Sequence, residues 1–397
     1  DALPIYVKPS SATSLTCRTP VWNYHATSNA LTVYLMERLN NDVNWRGSSR
    51  SWTYIVTYKS ISRYNGYADG AHSVTITGNG FNTGRTDYRC RFRDGSGRQA
   101  YSANVRPSSS TSFTCRSPVW YNPATSNTLT LYAMEMSNND ITWRGSKRTW
   151  DYIVTYKSIS RTSGYADGTH TVVVHGNGFD STRTDYRCKF MDGAGKVEYS
   201  ANTKPASSTE LTCKTPIWHF AATGNPTTLY LLERSDSSVL WRGSARTYTY
   251  IVTYKSISRY NGYASGGQDV IITGNGYDVT RTDYRCRFYA SNSWGVNQAY
   301  SANVRPTSST SLTCKTPLWY FTATSNTGTV YLMERSNNDV QWQGTKRSWV
   351  FIVVYASLST HHGYADSTHS VTVYGNGFDT TRSDYRCRFR DGSGNQA

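Results

Sequence analysis

Gly78-Asn79-Gly80-Phe81 returns as Gly176-Asn177-Gly178-Phe179, as Gly274-Asn275-Gly276-Tyr277 and as Gly375-Asn376-Gly377-Phe378. The period is therefore 98, 98 and then 101 residues. Self-similarity at a fixed period is read before any local propensity, because each repeat is one structural unit. Each tetrad is followed by a Tyr-x-Cys-x-Phe stretch, as in Tyr88-Arg89-Cys90-Arg91-Phe92. A Cys-x-(Ser/Thr)-Pro-x-Trp element comes next, as in Cys115-Arg116-Ser117-Pro118-Val119-Trp120. Aligned on that element, Asp1 has the phase of Gln99 and Ala397 the phase of Ala100. The reading is three whole modules at 58–155, 156–253 and 254–354, with 1–57 as the back part of a module and 355–397 as the front part.

Inside a period, short runs alternate polar with apolar residues and are separated by turn signals every eight to twelve residues, the pattern of a sandwich of short strands. Thr171-Val172-Val173-Val174 runs into Gly176-Asn177-Gly178, where glycine supplies a turn at little steric cost. Asp185 to Phe190 reads as the next strand, and Leu211-Thr212-Cys213 stops before Pro216, which has no amide to donate. No segment carries a helical period of useful length, so the fold class is all-β. Asp151 to Ser160 passes from one module into the next with no Pro, Gly or charged spacer. Flexible linkers are Gly/Ser-rich, so a stiff connection and a rod or superhelix are expected.

A unit of about 98 residues buries only about two thirds of its surface, and a covalent staple would help it. The eight Cys supply two per period. Pairing within modules joins Cys90 to Cys115, Cys188 to Cys213 and Cys286 to Cys314, leaving Cys17 and Cys387 over; pairing across boundaries joins residues 73 apart and leaves none over. The short pairing is preferred, because the third period's extra residues near Ser291-Asn292-Ser293-Trp294 fall between its two Cys, where a surface loop absorbs them. Closing a 25-residue loop contributes roughly 3.5 kcal/mol in the chain-entropy model, and such bridges imply an oxidising, extracellular or cell-surface setting.

The net charge of +16 points toward polyanions, but Lys and Arg are spread over every period without a run or a recognition helix, so no nucleic-acid partner is expected. No stretch approaches 18 consecutive apolar residues, and no membrane span is expected. There is no Asn-x-Ser/Thr acceptor; Ser/Thr clusters such as Ser108 to Thr111 read as turns that could carry O-glycans. The metalloprotease, hydrolase and phosphate-loop signatures are absent, so no catalytic residue, cofactor or metal is assigned and the chain reads as a non-enzyme. Arg85 and Asp87 recur in every period two residues apart and read as a local ion pair; Glu37, Glu135, Glu233 and Glu334 recur once each and read as junction salt bridges.

Aromatic residues make up 14% of the chain. Trp22, Trp120, Trp218 and Trp319, just after the Pro, read as core. A second set, Trp45-Arg46, Trp143-Arg144, Trp241-Arg242 and Trp342, is the candidate for contacts between modules or subunits, since Trp and Arg anchor interfaces.

The combination of Gly78 to Phe81, Tyr88, Cys90, Phe92, Cys115 and Pro118, repeated in each period, resembles the immunoglobulin-like IPT/TIG family. The resemblance implies an immunoglobulin-like β-sandwich with a disulfide between the two Cys of a module, and implies little about activity. The Trp143-Arg144-Gly145-Ser146-Lys147-Arg148-Thr149-Trp150 element is a departure from that family. Long tandem arrays of such modules also look like those of very large extracellular proteins of algae and other protists. The expected function is structural: an extracellular filament subunit in which the front part of one copy completes the back part of the next, with Cys387 bridged to Cys17. The partner is then another copy of the chain; alternatively the chain is a slice of a longer continuous array. A multivalent adhesin or carbohydrate-binding protein, with glycans as partner, is the alternative.

Overall fold

The computed structural model describes residues 7–26, 30–37, 41–47, 50–124, 127–136, 139–234, 237–292, 295–323, 327–335, 338–366 and 368–397. Every regular element among them is a β-strand. The first whole module opens with Thr57–Ile61, which pairs antiparallel with Ser73–Asn79 and parallel with Thr142–Trp143. Ser112–Arg116 lies on the far side of Ser73–Asn79 and completes a four-stranded sheet. The facing sheet runs Asn65–Tyr67, Thr149–Ile153, Thr128–Glu135, Arg89–Arg93, Gln99–Tyr101, with Asn139–Asp140 paired to the end of Thr128–Glu135. The opening segment of the module passes from one sheet to the other between Ile61 and Asn65, and the closing segment does so between Trp143 and Thr149, and in both sheets these first and last segments run parallel. The same two sheets recur from Thr155–Ile159 to Thr247–Ile251 and from Thr253–Ile257 to Ser348–Ile352.

The core follows from the alternation. Val74 and Ile76 face inward from one sheet, and Cys90, Phe92, Leu129 and Leu131 from the other, all fully buried. Each such apolar side chain contributes about 1.5–3 kcal/mol of transfer free energy. Trp120 stacks on Tyr152 with centroids 5.3 Å apart; Trp218 on Tyr250 and Trp319 on Phe351 repeat the pair. The first Trp set is therefore core, and Trp22 stacks on Tyr54 in the same manner. Cys90–Cys115, Cys188–Cys213 and Cys286–Cys314 each join one sheet to the other, with Cα atoms 6.2, 6.1 and 6.1 Å apart. The extra residues of the third module lengthen a hairpin, since Arg285–Asn292 pairs with Gly295–Tyr300 out to Asn292↔Gly295. Ser293 and Trp294 lie outside the described residues.

The two ends are thinner. Among the described residues Ala30–Thr32 pairs with Ser51–Thr53 alone, Met36–Glu37 with Asn41–Asp42, and Val354–Leu358 with Val373–Asn376. Two-stranded pieces of this kind are marginal on their own.

Candidate functional site

Three features recur with the period: a seam between modules, a row of stacked cations on one sheet face, and the open faces of the two half-modules. At the seam a single residue, Val154, separates the last strand of one module from the first strand of the next, and it is buried. Ala68 N–H donates to the Ile153 carbonyl at 2.8 Å, and Ala124 N–H donates across the seam to the Gly178 carbonyl at 2.9 Å. Gly178 has φ of 86°. A Cβ there would come within 2.7 Å of the Ala124 Cβ and 3.0 Å of the Ala68 Cβ. The same bond joins Ala26 to Gly80, Ala222 to Gly276 and Ala323 to Gly377. Ser208 Oγ donates to the Tyr121 carbonyl of the preceding module, and Ser110 Oγ to that of Asn23, so one serine of each of these Ser/Thr clusters is a seam contact. In sequence the Gly-Asn-Gly tetrad reads only as a turn. The signal for its seam role was the Ala at one fixed phase of every period.

The candidate contact residues divide. Trp143, Trp241 and Trp342 pack inside their own modules on Tyr58, Tyr156 and Tyr254, with centroids 4.7, 4.8 and 4.8 Å apart. Arg242 crosses the seam: its guanidinium lies 4.5 Å from the centroid of Tyr67 and its Nε is 3.4 Å from Asp69 Oδ2. Arg144 N–H donates to the Tyr58 carbonyl, and Trp45 and Arg46 are exposed. The recurring Glu residues serve hydrogen bonds to hydroxyls. Tyr88 OH donates to Glu135 Oε2 at 3.0 Å while accepting from the Asn82 amide, and Thr223 of the preceding module donates to Glu334 at 3.0 Å. Burial raises the Tyr88 phenol to about 12. Arg85 and Asp87 form the local pair expected, Nε to Oδ1 at 2.9 Å.

On the outer face of the six-strand sheet the register sets Tyr101, Arg91 and Tyr132 in one row. Arg91 and Arg148 both lie over the Tyr132 ring, at 4.4 and 4.5 Å. Lys189 and Arg246 repeat this over Tyr230, and Arg287 and Arg347 over Tyr331. Arg91 is also ion-paired with Asp140 and Arg287 with Asp339. The rows put more positive than negative charge on this face of each module. Among the described residues no group of three or more His, Cys, Asp and Glu side chains is placed to hold a metal ion.

The half-modules expose what whole modules bury. Trp52 is 45% exposed where its counterpart Trp150 is 0%; Phe389 is 59% exposed where Phe92 is 0%. Cys17 and Cys387 are free and exposed, each standing where a module elsewhere holds one half of its bridge.

The family profile described as IPT/TIG domain matches residues 57–140 and 155–250, which cover most of the first module and nearly all of the second. The first two modules are of IPT/TIG type, and the third repeats their sheet pair. A search of curated proteins finds no match. Among solved structures the IPT/TIG array is similar to a tetra-tandem repeat in the extending region of a large adhesion protein, at 15% identity, 77% coverage of each chain and a TM-score of 0.23. It is also similar to the plexin A4 extracellular region, at 11% identity over 75% of this chain and 34% of that one, with a TM-score of 0.20. The array thus spans about a third of that plexin chain, and at these TM-scores neither likeness adds to what the sheets themselves show.

Proposed function

We propose that the IPT/TIG array is a non-enzymatic structural subunit of an extracellular filament or cell-surface appendage, in which the front half-module of one copy completes the back half-module of the next. The observation that carries the reading is the repeated seam, where Ala26, Ala124, Ala222 and Ala323 each donate to a Gly carbonyl of the next module and join one module stiffly to the next. A head-to-tail contact of this kind uses two different surfaces, so it builds an open fibre when the rotation does not close. The join would bring Cys387 to Cys17, as Cys90 meets Cys115. The three inter-sheet disulfides support an oxidising, extracellular location.

Electron microscopy with and without reductant, followed by non-reducing mass mapping, tests this. Fibres with a four-module axial repeat and a Cys17–Cys387 linkage are expected. Single particles with both thiols free would overturn it.

A second reading, a multivalent adhesin or carbohydrate-binding protein, is favoured by the cation rows over Tyr132, Tyr230 and Tyr331. A guanidinium held by a ring presents its N–H edge to carboxylate or sulfate with little further ordering, and repeated modules multiply a weak contact. Retention of unassembled chains on an acidic polysaccharide and not on a neutral one would support that reading.

A further inference from the structure

Each whole module is strung between a first and a last segment that lie side by side and run in the same direction. In the first module Thr57–Ile61 is parallel to Thr142–Trp143 in one sheet, and Asn65–Tyr67 is parallel to Thr149–Ile153 in the other. Arg144 N–H donates to the Tyr58 carbonyl at 2.9 Å, Asp151 N–H to that of Tyr64 at 2.9 Å, and Ala68 N–H to that of Ile153 at 2.8 Å. The second module repeats these bonds from Arg242 to Tyr156, Thr249 to Thr162 and Ala166 to Ile251. The third repeats them from Gln343 to Tyr254, Val350 to Tyr260 and Ala264 to Ile352.

Tension along the array enters a module at the start of its first segment and leaves at the end of its last. Parallel segments pulled in this way are driven past one another along their length, so the bonds between them carry the force together. If the two segments were antiparallel, their pulled ends would lie at the same edge and the bonds would open one after another. The first strand is also pinned. Tyr58, Tyr156 and Tyr254 are fully buried between the sheets, each ring packs on the Trp of its own module, and each hydroxyl donates to a carbonyl of the opposite sheet, Leu131, Leu229 or Val330, at 2.9, 3.0 and 2.9 Å. Sliding the strand drags that ring out of the core.

The disulfides lie off this path. Cys90–Cys115 joins Arg89–Arg93 to Ser112–Arg116, neither of which is a first or last segment. With 25 residues of a 98-residue period held inside the bridge, 73 are left to extend, and the third period of 101 with its bridge of 28 leaves the same 73. The extra residues of the third module are therefore mechanically silent while its bridge is closed.

We infer a mechanical function for the modules: the parallel first and last segments form a shear clamp that resists tension along the array, and the buried bridge limits how far a failed module extends. The clamp acts inside one module, so it goes beyond the filament reading and holds for any pulled array, assembled or single.

Single chains stretched between handles at their two termini test it. The three whole modules are expected to open in three steps, each releasing chain that spans about 240–260 Å when straight. A thiol reductant is expected to add about 80 Å in the first two modules and about 90 Å in the third. That gain should follow the opening of its module, because both sulfurs are fully buried and exchange needs access. Three variants of the second module separate the clamp from overall stability. Tyr156→Phe removes the hydroxyl bond and is expected to move one of the three steps to a force lower by about a tenth or more. Thr249→Pro removes the amide that donates to Thr162 and is expected to lower it by about a quarter or more. Leu211→Ala, in the far strand of the four-stranded sheet, should lower the thermal midpoint at least as far as Tyr156→Phe and leave all three forces unchanged. Should Thr249→Pro lose the fold, seen as one step missing, Tyr156→Phe decides alone. If Leu211→Ala weakens a step as much as Tyr156→Phe does, resistance follows stability and there is no clamp. A longer third step with the bridges closed, or a bridge reduced before its module opens, would overturn the limit on extension.

Discussion

Gly178 must satisfy two demands at once, a left-handed backbone with φ of 86° and the absence of a Cβ beside Ala68 and Ala124. Either demand alone admits Asn or a small residue, and both together leave glycine. Gly178→Ala is expected to lower the stability of the seam by about 1–3 kcal/mol, read as faster protease cleavage near Val154. Gly193→Ala, with nothing within 4 Å of a Cβ, is expected to leave cleavage unchanged. The tyrosines set a second residue-scale property. Burial raises Tyr88 and Tyr248 to about 12, and Tyr152 and Tyr250 further still, against an unfolded value near 10. Protons bound in the native state above pH 10 are lost in the unfolded one, so stability present below pH 10 falls as pH rises toward 12 and beyond. An alkaline titration followed at the phenolate absorbance should show exposed tyrosines ionising first. The buried set should follow together with loss of circular dichroism. Smooth titration of all tyrosines near 10 with the fold intact would contradict the burial.

At the scale of the element, the alternation in Thr171–Asn177 and Arg187–Asp192 was legible, because inward residues at every second position are a local property of the chain. What was not legible is which strands pair. Nothing local in Thr142–Trp143 says that it runs parallel to Thr57–Ile61, some eighty residues earlier, or that the chain changes sheet at Ile61. Those pairings come from packing Tyr58 and Trp143 together across the module, a tertiary contact with no short-range signal. The Trp143-Arg144 stretch read as a contact element for the same reason, and among the described contacts of these candidates Arg242 is the one that crosses a seam. The inter-sheet bridge belongs to this scale too. Replacing Cys188 and Cys213 together with Ala is expected to destabilise the second module by about 2–5 kcal/mol. Its thermal transition should separate below those of its neighbours in calorimetry. A single transition at the original temperature would show that the bridge adds little.

The whole molecule inherits its mechanics from the seams. The two seams between whole modules are each one buried residue long, Val154 and Val252, and every seam carries a backbone bond from Ala to Gly with no Gly/Ser spacer to absorb rotation. The seams differ in side chains, since Arg242 reaches Tyr67 and Asp69 in one, while Gln343 replaces that Arg in the next, where Thr223 binds Glu334. The first contact is a charge pair and weakens with salt, whereas the second changes less because its donor is a neutral hydroxyl. A backbone-anchored seam should nevertheless hold its angle when the side-chain ties are weakened. Small-angle scattering of single chains is therefore expected to give the same maximum dimension at low and high salt. Insertion of Gly-Ser-Gly-Ser after Val154 should broaden the distance distribution, because it separates Ala124 from Gly178. If the uninserted chain already scatters as a flexible string, the Ala–Gly bonds do not set the mechanics. A fibre built from these modules would then owe its stiffness to contacts made only after assembly.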